Sequence, residues 1–326
     1  MIRVLAALGG SLLTFALLLL IAWDTETVLR WRHSLMTDLQ RTVVTLKLTG
    51  LEETPLFLIP DDAIITPMTI RHGVWEANET YWFCRSLAPG DTLVDVGANI
   101  GYFTVLGAKI VGEAGRVYAF EPDPEAFATL QRNIRLNGLT NVTIENKAVS
   151  NEPGELELFL ATENKGDHRI FQASGGQRES VTVETVVLDD YFAGRETEIN
   201  FVKIDTQGAE GVIVDGMNRI LKSNPQLRIA IEFSPWHLRE FGFDPLKLVD
   251  MLEVVEFRSF DLGRGLPRID PLAPLTPRDA LGIYPGGSES EFTNLLLVRS
   301  GVPFEPQPPA VGEQRRNVSF CPVHKI

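Results

Sequence analysis

The stretch Leu93-Val94-Asp95-Val96-Gly97-Ala98-Asn99-Ile100-Gly101-Tyr102-Phe103 joins an apolar run to small residues and a single carboxylate. A strand that ends in glycines lets the backbone turn tightly and approach a ligand, and a helix starting near Tyr102 directs its free N–H groups there. This predicts a nucleotide-type site. A dinucleotide loop would be spaced G-x-G-x-x-G, but counting from Gly97 the next two glycine positions hold Asn99 and Tyr102. A phosphate-binding P-loop is excluded as well, since no Gly-Lys-Ser/Thr follows. The ligand therefore need not carry phosphate. Glu121 ends the next predicted strand, about twenty residues beyond the loop, where a carboxylate can accept two hydrogen bonds from a ribose diol. Asp95 lies in an otherwise apolar strand, where an unpaired carboxylate is costly, so it needs a partner. A ligand's amino group or the loop amides are the expected ones.

These residues need a scaffold that gathers them on one edge. From residue 92 onward, apolar runs at 93–96, 117–120, 142–144, 201–204 and 227–231 alternate with helical stretches at 105–111, 127–136, 209–221 and 246–252. Alternation at this interval is the signature of a parallel sheet with crossover helices. It pauses between 155 and 191, where 156–159 and 181–183 read as period-two strands around a polar loop, and a final strand is expected at 294–298. Upstream, 24–50 reads as helical, and the short runs 56–59 and 63–65 around Pro60-Asp61-Asp62 read as a hairpin. Prolines at 303, 306, 308, 309 and 322 mark residues 301–326 as a mostly disordered tail.

Composition bounds the rest. With 326 residues, 44% hydrophobic and 22% charged, the chain is of globular type and can bury a sizeable core. A net charge of −13 without a basic cluster disfavours nucleic acid as substrate. Cys84 and Cys321 exclude a disulfide scaffold and a cysteine-rich zinc site, and the chain fits a reducing compartment. Residues 4–23 are uncharged and strongly apolar, and twenty helical residues span about 30 Å, the thickness of a bilayer's hydrocarbon layer. The leading expectation is an uncleaved single-pass anchor with the body on the cytoplasmic side; a signal peptide and a buried helix are the alternatives.

Asp95-Val-Gly97-Ala-Asn99-Ile-Gly101, Phe120-Glu121-Pro122 and Lys203-Ile-Asp205-Thr-Gln207-Gly208-Ala209-Glu210 together resemble the FkbM-type family of class I S-adenosylmethionine-dependent methyltransferases. The likeness covers roughly residues 75–298. It implies a Rossmann-like α/β fold with a seven-stranded, mostly parallel sheet whose last strand is antiparallel. The expected division is an anchor at 1–23, a helix and hairpin extension at 24–74, the methyltransferase domain at 75–300 and the tail at 301–326. Carried over by residue, the resemblance implies that Gly97, Asn99 and Gly101 lie under the methionine part of S-adenosylmethionine, with Asp95 helping to hold it. Glu121 matches the ribose acid, Ala148 in Asn146-Lys147-Ala148-Val149 the adenine edge, and Asp205 a position near the transferred methyl.

Members of the family are often O-methyltransferases, so the resemblance implies a hydroxyl acceptor on a sugar, glycan or metabolite; the anchor suggests a lipid-linked one. An alcohol must lose its proton to attack, which calls for a base above the sheet's carboxyl edge. Asp205, Glu210, His168 and His237 are the candidates. No metal ligand spacing is present, so no metal is expected. An N-methyltransferase on the same fold and a non-catalytic cofactor-binding scaffold are the alternative readings.

Overall fold

The computed structural model describes residues 43–46, 48–172, 178–195, 197–263, 272–304 and 319–320. Five parallel strands, β1 (Thr92–Val96), β2 (Arg116–Phe120), β3 (Val142–Glu145), β6 (Phe201–Ile204) and β7 (Arg228–Phe233), form the body of the central sheet. The hairpin β4 (Gly154–Phe159) and β5 (Ser180–Val186) interrupts them in sequence and pairs within itself. Three later strands, β8 (Phe257–Gly263), β9 (Ala273–Leu275) and β10 (Thr293–Arg299), complete an eight-stranded sheet in the order β9-β8-β10-β7-β6-β1-β2-β3. β10 runs antiparallel between β7 and β8, as the expected antiparallel last strand does. The expected count of seven is corrected to eight, because the short β9 adds a further antiparallel edge to β8.

Strand pleating sorts side chains onto two cores. Val94, Val96, Val202 and Ile204 enter one cluster with Ile213 and Leu248, while their neighbours Leu93 and Phe201 enter another with Val105 and Leu106. Successive residues of a strand face opposite sides, so both faces must be covered, and they are: by α3 (Tyr102–Val111) on one side and by α5 (Glu210–Asp215) and α7 (Pro245–Glu253) on the other. The helix α4 (Pro124–Leu136) starts at Asp123, whose side chain accepts from the Ala126 amide.

The N-terminal side differs from expectation. Val43–Leu46, read above as helix, is a strand beside Thr54–Phe57, in keeping with its β-branched residues. The expected hairpin over 56–65 is replaced by that pairing and by α1 (Ile65–His72), whose first turn is held by Asp62 accepting from the Thr66 amide at 2.5 Å. Leu46 and Leu56 are fully buried in the same cluster as Trp82 of α2 (Ala77–Ser86), so this region is part of the core. The Asn133 side chain, on α4, bonds both the Phe57 backbone and the Ile100 carbonyl, tying the extension to the glycine loop.

The membrane expectation is corrected. Among the described residues no helix is long and apolar enough to cross a membrane; the 13-residue α4, for instance, is amphipathic and has one exposed polar face. The anchor expected at 4–23 lies outside the described residues, as does most of 24–50, and the single-pass location is withdrawn. Of the expected disordered tail, 305–318 and 321–326 also lie outside them, and Ser319–Phe320 pairs in parallel with Leu48 and Thr49. Cys84 is disulfide-bonded, which removes the basis for the reducing-compartment reading; the sequence's other cysteine, Cys321, lies outside the described residues.

Candidate active site

The carboxyl ends of β1, β2, β6 and β7 open into a cleft of about 400 Å³. Its floor is the turn after β1. Gly97 has φ +79°, and a Cβ there would lie 1.9 Å from the Asp205 carbonyl oxygen; at Gly101, φ +85°, a Cβ would lie 2.4 Å from Leu130 Cδ1. Glycine is required at both for left-handed backbone and for space. The close approach brings Asp205, at the end of β6, against the loop, and its amide donates to Val96 O at 3.1 Å.

Glu121 organises the next strand end. Its Oε2 accepts from the Asn99 amide at 2.6 Å and its Oε1 from the Asp123 amide at 2.8 Å. Burial pushes its pKa up to about 8. Each carboxylate oxygen has a second lone pair, so it can still take a hydroxyl. The Asn99 side chain donates to Lys165 O at 2.9 Å, anchoring the loop inside the β4–β5 hairpin over the cleft.

Of the residues singled out in the sequence, Gly97, Asn99, Glu121, Ala148, Asp205, His168 and His237 line this cleft. Asp95, Gly101 and Glu210 do not. Asp95 is 1% exposed, and its Oδ2 accepts from Thr104 Oγ1 at 2.5 Å rather than from a loop amide. Its strand neighbour across β6 is Lys203, so its countercharge comes from the protein. Glu210 is fully buried and accepts from the Thr206 amide (3.1 Å), Thr206 Oγ1 (3.0 Å) and the Gly208 amide (3.0 Å). Burial, then the nearby Glu232, pushes it up to about 7. Its geometry is that of a clasp on the turn after β6.

The two histidines differ in the same way. His168 Nδ1 accepts from the Ala161 amide at 2.9 Å, so the ring carries its proton on Nε2, 3.9 Å from Asp123 Oδ2. That ring is committed to holding the hairpin loop. His237 sits in the first turn of α6 (Pro235–Phe241), placed by the Ser234 cap and Pro235, and is 4% exposed. Neither of its ring nitrogens has a hydrogen-bond partner. Nδ1 is 3.7 Å from Glu232 Oε1 and Nε2 is 3.6 Å from Glu289 Oε1. Burial, then the charge of Arg169, holds its pKa below the ordinary histidine value, so it is neutral near pH 7.

Sequence reading passed over several charged residues at the site. Lys203, 2% exposed, lies 2.9 Å from Asp205 Oδ2, 3.5 Å from Glu79 Oε1 and 4.5 Å above the Phe103 ring. Burial opposes its charge, but Asp205, Glu79 and Asp95 outweigh that and hold its pKa above the ordinary lysine value. A lysine within a fully buried strand was a readable signal. Glu232, on β7, accepts from Gln207 Nε2 at 2.8 Å and is pushed up to about 8, first by burial and then by Asp205. Arg169 and Glu289, 120 residues apart, had no shared sequence signal and meet as an ion pair. Asp167, His237 and Glu289 have ligand atoms within 4.8 Å of one another, but Arg169 is already paired to both carboxylates as their cation.

Residues 95–260, about half of the chain, match the methyltransferase FkbM domain. The chain belongs to the FkbM methyltransferase family. Among FkbM relatives, it is 31% identical over 184 residues to 31-O-demethyl-FK506 methyltransferase FkbM of Streptomyces tacrolimicus, covering 51% of this chain and 65% of that one. To the hexuronic acid methyltransferase AglP of Haloferax volcanii it is 29% identical over 135 residues, 41% of this chain and 52% of the relative. The matches thus span less than two thirds of either relative's length. Among solved structures, a SAM dependent methyltransferase from Aquifex aeolicus aligns at 13% identity with a TM-score of 0.36, over 73% of this chain and 93% of that one.

The FkbM domain fits the cofactor its family implies. A glycine-floored turn that a single Cβ would fill, a carboxylate at the next strand end and Ala148 on the far wall form one continuous cradle. Gly97, Asn99, Glu121, Ala148 and Asp205 are the residues that would hold S-adenosylmethionine.

Proposed function

We propose that the protein is an S-adenosylmethionine-dependent O-methyltransferase acting on a hydroxyl of a sugar, glycan or metabolite, with His237 as general base. One observation carries the base assignment: of the four candidates, only His237 lines the cleft with a ring whose nitrogens are both unpartnered. His168 has its lone pair engaged, Glu210 is bonded outside the cleft, and Asp205 is paired with Lys203. The two relatives above, one named for a 31-O-demethyl substrate and one for a hexuronic acid, favour an oxygen-bearing acceptor.

The cofactor supplies an activated methyl group; the chain aligns the acceptor and removes its proton. His237, neutral at working pH, takes the hydroxyl proton at Nε2. Glu232 lies 3.7 Å from Nδ1 and faces that edge of the ring, favouring the tautomer that leaves Nε2 to accept, while Gln207 orients Glu232. The buried wall around them limits water access to the reacting atoms. Incubation with methyl-labelled cofactor and a panel of glycans and small alcohols, followed by mass identification of the labelled product, tests this reading. A product methylated on nitrogen, or folded protein that fails to bind the cofactor in calorimetry, would sink it.

A further inference from the structure

The end of the cleft beside the glycine turn carries an excess of acidic side chains. Glu76, Glu79, Asp95 and Asp205 converge there, and among the described residues Lys203 is the cation they share. Glu79 is engaged by Lys203 and by Asn294 Nδ2 at 2.8 Å, Asp205 by Lys203, and Asp95 by Thr104. Glu76 is left over. It lines the cleft, its Oε2 is buried without a hydrogen-bond partner, and its carboxyl faces the Glu79 carboxyl. Its backbone is left-handed, with φ 43° and ψ 66°, a conformation that is strained in a non-glycine residue and persists where the surroundings impose it. The surroundings here are explicit: the Trp75 amide and Thr80 Oγ1, on either side of Glu76, both donate to Tyr102 Oη, at 3.3 and 3.2 Å. Tyr102 is the first residue of the helix that leaves the glycine turn, so Glu76 is clamped to that turn.

A buried carboxylate with a free oxygen beside a like charge calls for a cationic donor. Glu121 and Ala148 occupy the opposite, ribose and adenine end of the same cleft. The amino-acid end of the cofactor, which bears an ammonium with three donors, is the group that reaches the glycine-turn end. We infer that Glu76 binds the α-ammonium of the cofactor's methionine moiety, supplying the contact first sought from Asp95. This rests on the cofactor reading above and adds a residue outside the matched domain, which begins at residue 95.

The test is calorimetry on the full chain with S-adenosylhomocysteine and with its deaminated analogue, in which hydrogen replaces the amine, against wild type and Glu76→Gln. Wild type should bind the amine-bearing ligand about tenfold to a hundredfold more tightly, the range for a hydrogen bond to a charged group. Glu76→Gln should lose that factor for S-adenosylhomocysteine and keep its affinity for the analogue. Equal loss for both ligands, or unchanged S-adenosylhomocysteine binding, overturns the inference. The wild-type arm needs no variant: equal affinities for the two ligands overturn it even if Glu76→Gln fails to fold. Glu76→Asp, which keeps the charge and shortens the reach, should fall between the two. Absence of S-adenosylhomocysteine binding to folded wild type would instead remove the cofactor reading itself.

Discussion

His237 and His168 have the same side chain and opposite circumstances, and the difference lies in one lone pair. The Ala161 amide occupies Nδ1 of His168, whereas both nitrogens of His237 are free. Replacing His237 with Asn should therefore lower kcat by about a hundredfold to ten-thousandfold, the usual worth of a positioned base, and leave cofactor affinity within about twofold. An unchanged kcat in steady-state assays would assign the proton to another group. The base must be neutral to act, so activity is lost as pH falls through its pKa. Because burial and Arg169 both depress that pKa from 6.5, the acid limb of kcat/KM should lie below 6.5. Arg169→Gln removes one of the two causes, and the limb should move upward in its pH profile.

At the scale of elements, two contacts at the end of β6 decide whether there is a site at all. The Gly97 turn and the Asp205 carbonyl approach so closely that Gly97→Ala must both adopt left-handed backbone and displace the β6 end. Those costs are about 1–3 kcal/mol each, and cofactor binding should be abolished. A variant that binds the cofactor as wild type does would show that the turn can open without penalty. Glu210 closes the same junction from the other side by gathering three donors from Thr206 and Gly208. Glu210→Ala leaves those groups without their acceptor and should cost about 1–3 kcal/mol in chemical denaturation. Its acid limb should persist and move down, because the Glu210 charge raises the His237 pKa; a limb that vanishes would make Glu210 the base.

At the scale of the molecule, the site is a store of buried carboxyls, and this sets how stability depends on pH. Glu121 and Glu232 are raised from 4.5 to about 8, chiefly by burial. Between those values the folded state holds protons that the unfolded state has released, so stability falls as pH rises and levels off above about 8. The buried histidines act in the opposite sense, but near and below 6.5, their ordinary value. From pH 7 to 8 the carboxyls should dominate, at up to about 1.4 kcal/mol per pH unit for each group. Denaturant midpoints measured without cofactor should drop across that interval, and the drop should shrink in Glu232→Gln. A midpoint that rises with pH would contradict the burial of these acids.

The amino-acid sequence by itself determined the strand and helix alternation from residue 92, the glycine turn, Glu121 and the family. These are written locally: pleat and helix periods repeat within a few residues, and a glycine needed for left-handed backbone has few substitutes. The same local reading misassigned 43–46 and 63–65, where short apolar runs fit helix and strand alike and the choice fell to contacts outside each run, a partner strand at Thr54–Phe57 and the Asp62 carboxylate on the Thr66 amide. Only the tertiary structure decided which acids face the cleft and which histidine keeps unpartnered ring nitrogens. Asp95 and Lys203 meet as neighbours in the sheet, Glu79 reaches Asn294 across 215 positions, and Arg169 reaches Glu289 across 120. Whether a buried charge is already satisfied or left for a ligand depends on such partners, and no residue's type or spacing records them.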